Sequence, residues 1–253
     1  MLEAYVALSV WKFMLIFARL GAAFGLMPGF SAPYVNVQMR LATALVISLA
    51  AYPLLSPMIP ERPPTIGLAI MLLGGEMLIG IFMGLVPRVL VGAVQVAGTV
   101  ISFVSSLANA FIQDPLAEQQ SSIIAGFMST LALLLIFVTD THHLMIMAII
   151  QSYDLFVPGQ AIMVEDMTHL MARRVAEIFA LGVQMASPLI VVGLTYYIGL
   201  GLLGRLMPAL PVFFVAMPIQ LALQATVFMV TLSSMMLVFM AFFEEKLRAF
   251  MVL

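Results

Sequence analysis

The stretch Gly199–Gln220, GLGLLGRLMPALPVFFVAMPIQ, says more about this chain than any other segment. Inside one long hydrophobic tract it places an arginine and three prolines: Arg205, Pro208, Pro211 and Pro218. In lipid, a broken backbone must find hydrogen-bond partners within protein, and an arginine costs about 2.5–3.5 kcal/mol at mid-bilayer on insertion scales. A simple anchor has no use for either feature. We therefore expect this segment to be buried in protein or to line a water-filled path, which points to a passage or a gate.

The composition sets the class of protein. Hydrophobic residues make up 64% of the 253 residues and charged residues 9%, whereas soluble domains have about 45–50% and about 25%. A soluble fold is excluded, and the length allows roughly six to eight membrane helices of about 20 residues each. The apolar runs are too long for barrel strands and lack alternation. The sequence therefore predicts an all-α, polytopic membrane protein.

The apolar tracts fall at 4–27, 38–59, 65–86, 89–112, 121–139, 144–157, 176–203 and 211–243. We expect a single domain over residues 1–253 with no separate soluble domain. The longest polar interval, 159–174, has the pattern of a short amphipathic surface helix. Glu3 precedes the first tract, and Lys12 and Arg19 lie within it, so we expect a retained helix there and not a cleaved leader. The net charge of −2 gives no nucleic-acid footprint.

Tract 89–112 is weakly suited to face lipid. It contains Gln95, Gly98, Thr99, Ser102, Ser105, Ser106 and Asn109. Small and hydroxyl residues at such spacing suit close helix–helix contact or a wet lumen.

Glu76 is a carboxylate within an apolar tract, with Arg88 twelve residues further on. An acidic residue inside a membrane helix indicates a functional site by default. The alternative is a packing lock, in which Glu76 pairs with a cation from a neighbouring helix. Both interpretations remain open at the level of sequence.

A polar segment joins tracts 89–112 and 121–139 and begins within the first of them. The residues that we assign to it are Ser105, Ser106, Asn109, Phe111, Ile112, Asp114 and Pro115. It is either an exposed surface turn or a loop folded into a lumen, where the bulky Phe111-Ile112 pair blocks passage.

The triplet Asp140, His142 and His143 superficially suggests a metal or proton-relay site. Zinc needs three or four convergent ligands, and adjacent residues on a helix point about 100° apart. We therefore expect Asp140 to cap the next helix and predict no metal site. No G-x-S-x-G, H-E-x-x-H or P-loop pattern occurs. The sequence predicts no enzyme activity and no cofactor.

These residues resemble the FliR family of flagellar biosynthetic proteins and its virulence type III secretion counterparts. The strongest match is a Gly-rich helix, an Arg, a Pro, an aromatic pair and a second Pro, which here are Gly201, Arg205, Pro208, Phe213, Phe214 and Pro218. Weaker matches occur in the expected order along nearly the whole chain, at Pro28 with Arg40, Asp114-Pro115, Asp140 with His142-His143, and Ser187-Pro188. Thr141, where a glycine is expected, and Leu210-Pro211, in place of a more polar pair, depart from the pattern.

The resemblance implies a structural, pore-forming subunit of a protein export gate in the bacterial inner membrane, at the flagellar basal body. It also implies helical hairpins that pack with other subunits into a helical export-gate assembly. Its implied partners are FliP-like and FliQ-like subunits, FlhB-like and FlhA-like export proteins, exported flagellar proteins and membrane lipid. The family's plug loop would fall around residues 105–120. Structural and assembly roles would fall on Glu76, Arg88, Arg205, Pro208, Phe213, Phe214 and Pro218. The alternatives are the virulence counterpart, or a secondary transporter with Glu76, Arg205 and Asp140 as coupling groups.

Overall fold

A computed structural model describes residues 2–61, 63–105, 122–160, 163–207 and 212–250, with the backbone alone for 2–8 and 212–215. These residues form seven α-helices and no strand, which confirms the all-α fold. The helices are α1 (Leu2–Phe24), α2 (Val37–Leu55), α3 (Ile66–Val104), α4 (Ile123–Val138), α5 (Thr141–Leu155), α6 (Val164–Leu206) and α7 (Val212–Arg248).

Four helices of the described chain are long and apolar enough to cross a membrane, namely α2, α3, α6 and the Ala216–Arg248 part of α7. Helices α4 and α5 meet at an angle of 75° and make a fifth candidate if they count as one broken span. The number is below the six to eight that the length allowed, in part because α1 is not among these candidates and in part because two tracts merge. Tracts 65–86 and 89–112 are one helix across Pro87. Neighbouring groups in a membrane protein re-satisfy the carbonyl that a helical proline frees.

The polar interval 159–174 does not form the separate surface helix that we expected. From Val164 onwards it is the first part of the 43-residue helix α6. Glu165 and Asp166 lie in the first turn of α6, where carboxylates interact favourably with the positive end of the helix dipole.

Within Gly199–Gln220, where we expected an interruption, α6 ends at Leu206 and α7 is described from Val212. Pro218 lies inside α7 and does not end that helix. Pro208 and Pro211 fall outside the described residues.

The chain packs as two compact units, which we describe separately. The first comprises Met1–Leu90, Ile136–Arg174 and Phe243–Leu253, and the second comprises Val91–Leu135 and Val175–Phe242. The single domain expected from the sequence stays a prediction.

In the first unit, one face of α1 is almost completely buried. The buried side chains recur at helical spacing and are Leu15, Ile16, Arg19, Leu20, Ala23 and Phe24. Helix α3 lies against this face through Gly80 and Gly84, which form a G-x-x-x-G pair. A Cβ at Gly80 would overlap the carbonyl group of Arg19, and one at Gly84 would lie 2.5 Å from the Ala23 carbonyl oxygen. The missing side chains let the two backbones touch, as in other close membrane-helix pairs.

We expect Gly80→Ala to lower the free energy of unfolding by about 1–3 kcal/mol, since the added methyl group must push α1 and α3 apart. Gly74, on the same helix, has no atom within 4 Å of its Cβ position. Gly74→Ala is therefore a matched control, and it should gain up to about 1 kcal/mol from helix propensity. Thermal unfolding of both variants in detergent measures the difference. Equal melting temperatures would show that the helices do not approach as described.

In the second unit, α3, α4, α6 and α7 share an apolar core. Its buried side chains include Val94, Ile101, Ala132, Leu189, Met235 and Phe239. This core carries the polar contacts at the end of α3 that are described next.

Candidate functional site

Two groups of buried polar residues stand out, one in each unit. In the first unit, the side chain of Arg19 is completely buried and forms a two-pronged pair with Glu76. Its Nε atom donates to Glu76 Oε2 at 2.7 Å, and Nη2 donates to Glu76 Oε1 at 3.1 Å. Parallel hydrogen bonds of this kind are among the strongest side-chain contacts in proteins.

The end of α5 satisfies the rest of the Arg19 guanidinium. Nη1 donates to Ser152 Oγ at 3.2 Å, and Nη2 donates to the carbonyl oxygen of Phe156 at 2.9 Å. Phe156 follows the last residue of α5, so its carbonyl has no partner within the helix. The guanidinium carbon also lies 3.7 Å from the centre of the Tyr153 ring, which adds a cation–π contact. Arg19 thereby connects α1, α3 and α5.

This arrangement bears on the two interpretations of Glu76 that the sequence left open. The carboxylate meets a cation from a neighbouring helix, as a packing lock requires. That cation is Arg19 and not Arg88, which is exposed on α3. In the sequence, Arg19 stands out only as a charge within the first apolar tract. The pairing could have been predicted, because an acid and a base that each lie in an apolar tract can be buried at low cost only as a pair.

In the second unit, buried serines lie at both ends of the polar segment between α3 and α4. Ser102 Oγ and Ser122 Oγ share a hydrogen bond. Ser122 Oγ also accepts the backbone N–H of Ala125 at 3.1 Å, so Ser122 caps the amino end of α4. The backbones approach closely here because Gly98 lacks the Cβ that would collide with Ala125. The two ends of the segment are therefore held side by side.

Glutamines of α7 anchor the same region. Gln220 Nε2 donates to the carbonyl oxygen of Val104, the last residue of α3, at 3.3 Å. It also lies 2.9 Å from the hydroxyl of Tyr197 on α6. One turn further on, Gln224 Nε2 donates to the Leu189 carbonyl oxygen at 3.4 Å. A carbonyl at a helix end has no helical donor, so Gln220 stabilises the point where α3 ends. Neither glutamine was singled out from the sequence.

The predicted loop residues are only partly within the described chain. Ser105 is buried just after α3, and its N–H donates to the Ile101 carbonyl oxygen at 2.9 Å. The other residues predicted for the loop lie outside the described residues: Ser106, Asn109, Phe111, Ile112, Asp114 and Pro115.

The predicted assembly residues lie around the break between α6 and α7. Arg205 is exposed in the last turn of α6, where a cation complements the negative end of the helix dipole. No acidic group in the described part of the chain forms an ion pair with it. Phe213 and Phe214 belong to the first turn of α7, and Pro218 is exposed further along that helix.

Asp140 occupies the N-cap position of α5, as predicted, and its carbonyl oxygen accepts the N–H of His143 at 3.0 Å. Its side chain, however, makes no capping hydrogen bond. Its backbone is left-handed, with φ 58° and ψ 13°, whereas a capping residue normally has extended dihedrals.

Nearly the whole chain is similar to known proteins. The family model described as "Bacterial export proteins, family 1" matches residues 10–246. The flagellar biosynthetic protein FliR of Caulobacter vibrioides is 37% identical over 248 residues, covering 96% of this chain and 97% of the relative. FliR of Bacillus subtilis is 27% identical, with 87% and 86% covered. The Yop proteins translocation protein T of Yersinia pestis is 26% identical, with 88% and 87% covered.

Proposed function

Because the chain belongs to family 1 of the bacterial export proteins, we propose that it is a structural, pore-forming subunit of the flagellar type III export gate. In this role it passes unfolded flagellar proteins across the inner membrane at the flagellar basal body. Its partners in the gate are FliP-like and FliQ-like subunits, with FlhB-like and FlhA-like export proteins alongside. The role is structural and requires no catalytic group or cofactor.

The observation that carries this proposal is the set of hydrogen bonds at the two ends of the polar segment 106–121. The Ser102–Ser122 contact holds its two ends together, and Gln220 holds the end of α3. Burying these hydroxyl and amide groups in an apolar helix bundle is costly unless each is hydrogen-bonded. A surface turn between two membrane helices does not require buried hydrogen bonds at its ends. A plug loop does, because it must keep one position in the passage.

The long helices also support a role inside an assembly. Only 17% of the apolar window of α2 and 28% of that of α3 is buried within the chain. Their remaining apolar surface must contact lipid or other subunits. Helices associate in lipid through close packing and polar contacts. The surfaces of α2 and α3 that are not buried within the chain are therefore available to pack against partner helices.

The virulence counterpart is the second candidate, favoured by the similarity to the Yop translocation protein of Yersinia pestis. The higher identity and fuller coverage of the Caulobacter vibrioides relative favour the flagellar system.

Co-expression with FliP-like and FliQ-like proteins tests the proposal. We expect the chain to copurify with both in a defined complex, and to restore motility in a flagellated host that lacks its own FliR. We also expect the chain alone to form no conducting pore in lipid bilayers. A stable, monodisperse and solute-transporting protein without partners would instead support the secondary transporter.

Arg205 provides a sharper version of the same test. We expect Arg205→Ala to abolish recovery of the complex, because in the proposed role this exposed cation neutralises carbonyl ends that the breaks at Pro208 and Pro211 expose, or pairs with an acid of a partner. Arg205→Lys keeps the charge but loses the planar fork, so it should assemble in reduced yield. Arg248→Ala removes another exposed cation, at the end of α7, and serves as the control. Normal complex yield and motility with Arg205→Ala would contradict the assembly role.

A further inference from the structure

The bend between α4 and α5 brings three potential metal ligands together. The ligand atoms of Asp140, His142 and His143 all lie within 4.8 Å of one another. The sequence alone argued against this, since neighbouring residues on a helix point apart. Asp140 lies directly before α5 with a left-handed backbone, and its Oδ1 is 3.7 Å from Nδ1 of His143.

Aromatic packing holds the two imidazoles in position. The ring of His142 stacks on Phe137 at 4.9 Å between ring centres, and the ring of His143 lies 4.1 Å from that of His142. Phe137 in turn packs against Phe30. Among the described residues, Nδ1 of His142 is shielded from solvent and has no hydrogen-bond partner. A buried nitrogen without a hydrogen-bond partner costs free energy. A bound metal ion would satisfy this nitrogen.

We propose that Asp140, His142 and His143 bind a divalent transition-metal ion of the class that imidazole prefers, such as Zn²⁺ or Cu²⁺. Two nitrogen ligands and one carboxylate oxygen suit these ions better than Mg²⁺ or Ca²⁺, which prefer oxygen. The Asp140 and His143 side chains are 76% and 65% exposed, so the ion enters from solvent and water completes its coordination.

Charge assigns Asp140 a particular part in this site. The amino end of α5 carries a partial positive charge that disfavours a cation. The Asp140 carboxylate offsets that charge as well as supplying a ligand atom. Loss of its charge should therefore weaken binding even though both imidazoles remain.

The composition of the chain makes the test unusually clean. There are three histidines and no cysteine, so His169 is the only other imidazole. It is exposed and lies 3.9 Å from Glu165 on α6. The methionines favour Cu⁺ over the divalent ions, so the measurements are made without reductant. The full chain is purified in detergent with a tag that contains no histidine.

Equilibrium dialysis with Zn²⁺ and electron paramagnetic resonance with Cu²⁺ are the two measurements. We expect one ion per chain and a Cu²⁺ spectrum with two nitrogen ligands. The His142→Ala/His143→Ala variant should lose both, and the matched His169→Ala control should keep both. Asp140→Asn should weaken binding about tenfold or more while the two nitrogens remain in the spectrum.

His143→Gln alone covers the case in which the double variant fails to fold, because His143 is largely exposed. This variant should retain one nitrogen ligand and bind about tenfold or more weakly. The proposal is overturned if the unaltered chain binds no ion. It is also overturned if His169→Ala removes the signal, or if His143→Gln leaves affinity and spectrum unchanged.

Discussion

Glu76→Leu should lower the free energy of unfolding by about 3–5 kcal/mol, the usual cost of leaving one partner of a buried ion pair alone. The guanidinium of Arg19 is completely buried and would lose both hydrogen bonds to the carboxylate. It cannot shed its charge, because arginine stays protonated in proteins. Thermal unfolding of the purified chain in detergent, together with its steady-state amount in membranes, measures this loss.

The reverse change, Arg19→Met, should be damaging but less so. A stranded carboxylate can take up a proton and become neutral, whereas a stranded guanidinium cannot. Ser152 and the Phe156 carbonyl would each still lose a donor. The expected order of stability is therefore the unaltered chain, Arg19→Met and then Glu76→Leu.

The double variant Arg19→Met/Glu76→Leu separates a lock from two independent contributions. Replacing a buried ion pair with apolar side chains is often close to neutral, so we expect the double variant to be more stable than Glu76→Leu alone. Arg88→Met removes an exposed cation from α3 and should change stability by less than about 0.5 kcal/mol. If the losses from the two single variants simply add, the two groups are not coupled as described.

The second large effect concerns the polar segment after α3. Deletion of Asn109–Gln113 should leave assembly intact and make the membrane leaky to ions and small solutes. The deletion removes the bulky Phe111-Ile112 pair, and bulky apolar groups in a wet passage exclude ions by steric block and dewetting. The base of the segment should survive, because Ser102, Ser122 and Gln220 lie outside the deleted residues.

Ion leak and growth of cells that carry the deletion are measured in parallel with recovery of the complex. Phe111→Ala/Ile112→Ala should leak for the same reason while the loop keeps its length. Asp114→Asn changes the polarity of the segment without removing bulk, so it is the control and should stay tight. Normal complex recovery with a tight membrane in the deletion variant would mean that the segment is a surface turn and that the plug assignment is wrong.

The amino-acid sequence by itself determined the class of fold. Long apolar runs with few charges leave no alternative to membrane helices, because their backbone groups must be satisfied within each segment. It also indicated a helix end in the stretch where α6 ends, at Leu206, since prolines and glycines act on the backbone locally. The motif that resembles the export family lies in the same stretch and agrees with the family that matches residues 10–246.

The tertiary structure alone decided which charges meet. Arg19 and Glu76 are 57 residues apart, and they pair because Gly80 and Gly84 let α3 touch α1. Arg88 was nearer in sequence to Glu76 but lies exposed on the same helix. The Asp140 carboxylate likewise lies near His143 next to a left-handed backbone, which the sequence did not predict. Local sequence patterns predict where helices form. They do not predict contacts between residues far apart in the chain, because those contacts depend on how the helices pack.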